Sequence, residues 1–493
     1  MSRPAVLALV AALGLTSLSP VVATPAGAAD DTCHGVAATL VGSPGAALTG
    51  TPGADVVVTN GAASVDTGDG DDVVCTTGTP ATASGLGVTV DVGAGDDTVD
   101  TSAEGPRPGI GTTLGDGDDT FVGGRADDSV DARDEGHDSV RTGGGNDSVS
   151  TGSSEGVDDD LVDAGASGDH LLVGGRITPT SHISGGGGRD DLYVNVLDAG
   201  RWVFDNRGRQ VRHDGATAWR WAGVERFFFA QTKTVGRISF IGGPGDELLY
   251  VATSAFAGAR LGGGNDDVLL ASPRRLPGTP AIRAGAGRDR LQVLPYGTQP
   301  PVPHAELDLG SGSLRYVDRK GRRTSVLVTG FEGADAHAHS VRITGSTGDD
   351  VLTAWACDVQ VNGGDGNDRL GTLSEDKCAS GTRRALFGGP GHDRLSGSFH
   401  ADLLVGGPGV DRADGYDGRD RCEAETERRC ELPAAHARVA AESCHGLAAA
   451  RGGDDVAPAT DTDVGPGTDS FFGGTAPIAA AEVRESCELR MVP

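Results

Sequence analysis

Residues Gly388–Glu423 read GGPGHDRLS, GSFHADLLV, GGPGVDRAD and GYDGRDRCE, consecutive blocks of nine. The sixth place of each block is an aspartate, Asp393, Asp402, Asp411 and Asp420, and two places further on stand Leu395, Leu404, Ala413 and Cys422. Glycine at the first, second and fourth places permits positive φ, so the first six residues can close a tight turn with its carbonyls directed inward. The remaining three suit a short strand, whose alternation sends the eighth residue into an interior and its neighbours outward. A fixed short period marks a repeat architecture, in which each unit buries its apolar residue by stacking on the next.

The same block recurs as TGDGDDVVC from Thr67, VGAGDDTVD from Val92, LGDGDDTFV from Leu114, GGGNDSVS from Gly143, LGGGNDDVL from Leu261, AGAGRDRLQ from Ala284 and GGDGNDRLG from Gly363. With gaps, the copies extend from about Gly50 to Glu423. Register slips in places: Asp128 follows Asp119 by nine residues, but Asp138 comes ten later. Three blocks depart at the sixth place. GSPGAALTG from Gly42 has Ala47 there, which cannot bind a cation, GGPGDELLY has Glu247, and the block ending in Leu171 offers His170. We read them as decayed repeats that still stack as strands.

The block resembles the RTX, or hemolysin-type, calcium-binding nonapeptide, GGxGxDxUx with U a large apolar residue. The resemblance implies an all-β fold, a parallel β-roll (β-solenoid) of calcium-binding nonapeptide repeats, with two nonapeptides to the coil. It also implies Ca2+ between turns stacked on one edge. Residues eighteen apart would then share an ion: Asp393 with Asp411, Asp402 with Asp420, and Asp350 with Asp368. The carboxylates so assigned are Asp55, Asp72, Asp97, Asp119, Asp128, Asp147, Asp190, Asp266, Asp289, Asp350, Asp368, Asp393, Asp402, Asp411 and Asp420. Calcium takes about six to eight oxygens at roughly 2.3–2.6 Å, a demand that turn carbonyls and carboxylates together meet.

Composition agrees with a thin, cation-dependent chain. Of 493 residues 80 are Gly, and aromatics make up 4%, so little apolar surface is buried per residue to offset the ordering of the backbone. The net charge of -29 and pI near 4.6 disfavour nucleic acid and anionic membranes as partners and favour cations. Arg3, the apolar run Val6 to Leu18 and the small residues Ala26-Gly27-Ala28-Ala29 read as an export signal, with the mature chain beginning near Asp30. No later segment reaches the roughly 18 apolar residues of a membrane span. The protein is therefore expected to be secreted and extracellular. Eight cysteines in an exported chain read as disulfides, with neighbours paired: Cys33–Cys75, Cys357–Cys378, Cys422–Cys430 and Cys444–Cys487.

Two stretches break the glycine pattern. Arg201 to Ala230 carries Trp202, Phe204, a turn at Asn206-Arg207-Gly208, then Trp219, Trp221, Val224, Glu225 and Phe227. His304 to Asp335 repeats that plan with Leu307, Leu309, a turn at Gly310-Ser311-Gly312, then Val326, Val328, Phe331 and Glu332. Alternating apolar residues around a turn predict strands, longer ones that cap or pad the roll. Cys33-His34-Gly35 recurs as Cys444-His445-Gly446, so the tail reads as a diverged copy of the first module behind a linker at Ala434 to Glu442. The chain thus divides into a signal peptide, 1–29; an N-terminal β-roll, 30–200; a strand-rich insertion, 201–236; a middle β-roll, 237–300; a second strand-rich insertion, 301–340; a C-terminal β-roll with clean nonapeptides, 341–432; and the linker and Cys-flanked tail, 433–493.

No GxSxG, HExxH or GxxxxGK[ST] motif is present, and the carboxylates are accounted for by the repeat. His337-Ala338-His339 is a leftover pair with no third ligand. We expect a secreted calcium-binding repeat protein that folds or stiffens on binding and is not an enzyme. The alternatives are an exported β-helix enzyme, a polysaccharide lyase or hydrolase with structural calcium, or a surface adhesion module; a cell-surface or polysaccharide partner is not named by the residues.

Overall fold

The computed structural model describes residues 31–431 except 80–86, 103–108, 154–158, 196–198, 231–235, 272–275, 277, 294–301, 319, 374–377 and 379–381. The signal segment, the linker and tail, and Cys444 and Cys487 lie outside the described residues. Those described form strands, turns and bends with no helix, and divide into two compact units, Met1–Ser150 with Asp160–Ala166, and Thr151–Asp159 with Ser167–Pro493. The described residues of each form a parallel β-solenoid.

In the first unit strands of about three residues alternate between two parallel sheets. One sheet stacks Val57, Val74, Val99, Phe121, Val140 and Val162 in a single column, and the other stacks Leu48, Val65, Val90, Thr112 and Val130. These central residues are buried, as the period of two requires for a strand with one face inward. Each coil therefore contributes only two mid-strand side chains to the core. Next to the first coils, Cys33 and Cys75 are joined by a disulfide, with Cα atoms 5.6 Å apart, and pack against Val58.

The second unit repeats this plan with longer strands. The two glycine-poor stretches are strand-rich insertions, as expected, and they pad the roll rather than cap it; each is spliced into one sheet as a three-stranded antiparallel meander. Ala216–Ala222 pairs in parallel with His182–Ser184, Arg201–Asp205 pairs in parallel with Arg237–Ile241, and Gln210–His213 runs antiparallel between them. The second splice has the same wiring, with Arg323–Thr329 against Ala281–Ala286, His304–Asp308 against Ser340–Thr344, and Ser313–Val317 in the middle. On the opposite sheet Asp191–Val194 passes directly to Arg226–Phe229, and Arg290–Val293 to Gly333–His337. Each splice widens one sheet by two strands, roughly 10 Å, and leaves its partner sheet unchanged.

The extra width must be filled, which explains where the large side chains are. Phe204, Trp219 and Trp221 of the first splice are buried against Phe227 and Phe229 of the opposite sheet and Phe240 of the next coil, with ring centroids 4.7 Å apart for Phe204–Phe229 and 4.8 Å for Phe227–Phe240. Padding, as anticipated, is their role, although by insertion into the sheet. Disulfides Cys357–Cys378 and Cys422–Cys430 are also formed, the latter with Cα atoms 5.8 Å apart at the end of the last nonapeptide.

Candidate metal centre

All fifteen sequence-assigned aspartates stand in a turn that leads into a strand, and none is more than 5% exposed. Stacking brings them together in columns. In the first unit the backbone N–H of Asp55 donates to Oδ1 of Asp72 at 2.7 Å, that of Asp72 to Asp97 at 2.7 Å, and that of Asp97 to Asp119 at 2.8 Å. The column continues from Asp119 to Asp138 at 2.9 Å and from Asp138 to Asp160 at 3.0 Å. On the other edge of this unit Asp128 donates to Asp147 at 2.7 Å. Asp119 and Asp128, nine residues apart, therefore sit on different edges, and Asp138 is a rung of the first column rather than an interruption.

In the second unit one edge carries acidic residues throughout. Asp169 donates to Asp190 at 2.8 Å, and Asp190 to Glu225 at 3.1 Å. Further on, Glu247 donates to Asp266 and Asp266 to Asp289, both at 2.8 Å, and Asp289 to Glu332 at 2.9 Å. The clean nonapeptides follow: Asp350 to Asp368, Asp368 to Asp393 and Asp393 to Asp411, each 2.8 Å, and Asp411 to Glu425 at 2.7 Å. The opposite edge holds a shorter column, Asp402 to Asp420 at 2.8 Å and Asp420 to Glu431 at 3.0 Å.

Two departures are corrected by this register. The rung beside Leu171 is Asp169, not His170, whose ring points out of the sheet toward Asp191 at 3.0 Å. In the Gly42 block the turn is one residue short, so Ala46 holds the rung position and Ala47 opens the strand. Glu247 does occupy its rung, and its Oε1 accepts from Gly243 N at 2.6 Å and from Asn206 Nδ2 at 3.0 Å.

Each rung that receives a neighbour's amide thus has one oxygen used by the backbone. In Asp97, Asp119, Asp289, Asp368, Asp393, Asp411 and Asp420 the other, Oδ2, is buried and meets no donor from the protein. A buried anionic oxygen left so requires a cation or a proton. Burial, helped by the charge of neighbouring rungs, pushes Asp119, Asp368 and Asp420 up to about 8 and Asp97 and Asp393 up to about 7, against the lowering effect of the backbone hydrogen bonds. Among the described residues no three His, Cys, Asp or Glu side chains converge on one point. A calcium ion held here would draw on rung carboxylates together with turn carbonyls, the donor set that a hard, high-coordinate cation favours.

The turn glycines serve this arrangement in two ways. Gly389 and Gly391, at the second and fourth places, have φ of 115° and 156°, as expected. Gly388, at the first, is not in the positive-φ region; it is needed because a β-carbon there would run into Oδ2 of Asp393 and the carbonyl of Gly406. Gly363, Gly406 and Gly415 stand in the same way beneath Asp368, Asp411 and Asp420. Gly388→Ala should therefore overpack the turn, costing about 1–3 kcal/mol. The check is calcium affinity and thermal stability measured together, and both should fall.

The fifth place carries a second, exposed ladder that we did not anticipate. Asp96 N–H donates to Asp71 Oδ1 at 3.1 Å, Asp118 to Asp96 at 3.0 Å, Asn265 to Asp246 at 2.6 Å and Asn367 to Asp349 at 2.7 Å. Its donors lie on the later coil, whereas in the buried column they lie on the earlier one, so adjacent turns are bonded in both senses.

The family model of the RTX calcium-binding nonapeptide repeat matches over residues 113–149, 134–154, 342–370 and 386–422, in four copies. The chain carries RTX calcium-binding repeats. No curated protein matches it significantly. The columns also include rungs that sequence spacing missed: Asp138, Asp160, Asp169, Glu225, Glu332, Glu425 and Glu431. The four glutamates share a signal. Each follows a turn without the GGxG pattern, where the longer side chain still reaches the preceding rung's amide.

Proposed function

We propose that the protein is an exported, non-catalytic repeat protein whose buried aspartate columns bind Ca2+ and that folds or stiffens on doing so. The observation that carries this reading is the set of buried Oδ2 atoms without a protein donor, recurring among the rungs at Asp97, Asp119, Asp289, Asp368, Asp393, Asp411 and Asp420. Calcium would supply the positive charge that these oxygens lack. The protein's share of the work is to hold one carboxylate oxygen by a backbone amide and aim the other along the column. Export is supported by the apolar leader at residues 6–18 and by the three disulfides, which persist in oxidising compartments.

Calorimetric titration of the chelator-stripped full chain tests the proposal. We expect several Ca2+ per chain, with dissociation constants of about 10⁻⁴ to 10⁻³ M as in extracellular modules. Magnesium, which demands a compact octahedron, should not replace it. Absence of calcium uptake, or equal uptake of magnesium, would refute the reading.

A further inference from the structure

The shorter acidic column of the second unit begins in an unusual way. Its register runs from Ala305 to Val341, Val359, Arg384, Asp402 and Asp420: the first four are paired strand residues, and Asp402 and Asp420 directly precede Leu403 and Arg421 as Arg384 precedes Ala385. An apolar column thus becomes an acidic one, and at the junction stands an arginine only 4% exposed. A guanidinium so buried requires a neighbouring anion, and the adjacent rung is Asp402. That rung differs from its neighbours Asp393, Asp411 and Asp420, whose Oδ2 has no donor. Both Asp402 oxygens accept from Ser398, Oδ2 from its N at 2.5 Å and its Oγ at 3.0 Å and Oδ1 from its Oγ at 3.4 Å. Those of Asp350 accept from Ser346 in the same way, so what sets Asp402 apart is the buried guanidinium next to it.

We propose that Arg384 is a built-in cation that takes the place of a metal ion at the head of this column. No calcium binds between Arg384 and Asp402; the first ion in the column belongs between Asp402 and Asp420. The positive charge also opposes the rise that burial forces on the Asp402 carboxyl. The head coil of this edge is accordingly held without calcium, while the rungs after it depend on the ion. This inference rests on the calcium reading for its metal count but not for its charge pairing, and the test separates the two.

Full-length wild type, Arg384→Asp, Arg384→Gln and Arg384→Lys would be compared in two measurements. After dialysis against millimolar calcium, bound metal is counted; Arg384→Asp should hold one ion more than wild type, and Arg384→Gln and Arg384→Lys none more. In chelator, hydrogen exchange at Leu403–Val405 is followed; Arg384→Gln should exchange at least tenfold faster than wild type, and Arg384→Lys, which keeps the charge, close to wild type. An unchanged ion count in a folded Arg384→Asp, or unchanged exchange in Arg384→Gln, overturns the proposal. Should wild type bind no calcium, the functional reading falls, and the exchange comparison alone decides whether Arg384 neutralises Asp402.

Discussion

Stripped of calcium at pH 8, the chain should lose most of its β-structure, and it should regain it cooperatively in millimolar calcium. The cause is the disproportion between core and charge. Each coil of the first unit buries two mid-strand side chains, mostly valine, while adjacent buried carboxylates of one sign face each other along the column. The pH dependence follows from the upward shifts. Rungs such as Asp119 and Asp368, at about 8 when folded, hold protons that an unfolded aspartate releases near pH 3.9. Between about pH 4 and pH 8 the folded, calcium-free chain therefore binds more protons than the unfolded one, and its stability falls as the pH rises. In calcium the trend reverses, since protons compete for the same oxygens. Circular dichroism melts at pH 5 and pH 8, each with chelator and with calcium, should cross; equal β-content with and without calcium at pH 8 would contradict the argument.

Asp411→Ala should be among the most damaging single substitutions, and Asp414→Ala, three residues away, should be mild. Asp411 Oδ1 receives the amide of Asp393 at 2.8 Å, and its Oδ2 is among the buried oxygens offered to calcium. Loss of an ion held at 100 times its dissociation constant removes about 2.7 kcal/mol. The buried amide of Asp393, left without an acceptor, adds about 1–3 kcal/mol. Asp414 instead faces Arg429, with two contacts of 2.7 Å, and that half-exposed arginine limits the pair to about 1 kcal/mol or less. Hydrogen exchange at Arg394–Ser396 and Arg412–Asp414 in calcium reports the difference. Equal acceleration by both substitutions would mean that the acidic residues act through general charge and not through their place in the column.

The β-roll and its fifteen candidate aspartates were legible because glycine and aspartate leave a local signature: turn chemistry fixes both to particular places in the block. What a fixed spacing of eighteen could not convey is that a rung is defined by the strand it precedes. In the first unit successive rungs lie 17, 25, 22, 19 and 22 residues apart, since the connection on the far side varies in length. Asp169 was passed over for His170, and Ala47 taken for Ala46, because a shift of one residue is invisible without the pairing partner. Glu225 and Glu332 follow turns with a single glycine, Gly223 and Gly330, in place of the GGxG pattern and so carried no motif. The splices were legible as strands, since their apolar residues alternate, but their insertion into the sheet is a long-range pairing that no local pattern encodes. Arg384 was hidden for the same reason, as its significance lies in standing next to Asp402 on the following coil.

The direction of the buried hydrogen bonds sets an order of assembly. Along the clean nonapeptides of the second unit the amide of each rung is answered by a carboxylate that comes later in the chain, Asp350 by Asp368, Asp368 by Asp393, Asp393 by Asp411 and Asp411 by Glu425. A chain emerging amino end first would therefore hold each finished turn with a buried donor still waiting for its successor. The last coils of this segment are closed by Glu425, Glu431 and the Cys422–Cys430 link. Completion of this segment should start there and travel back as far as Asp350, where the relay ends because the Glu332 amide is already answered by the Asp289 carbonyl, so that truncation after Glu423 would delay the coils from Asp350 onward.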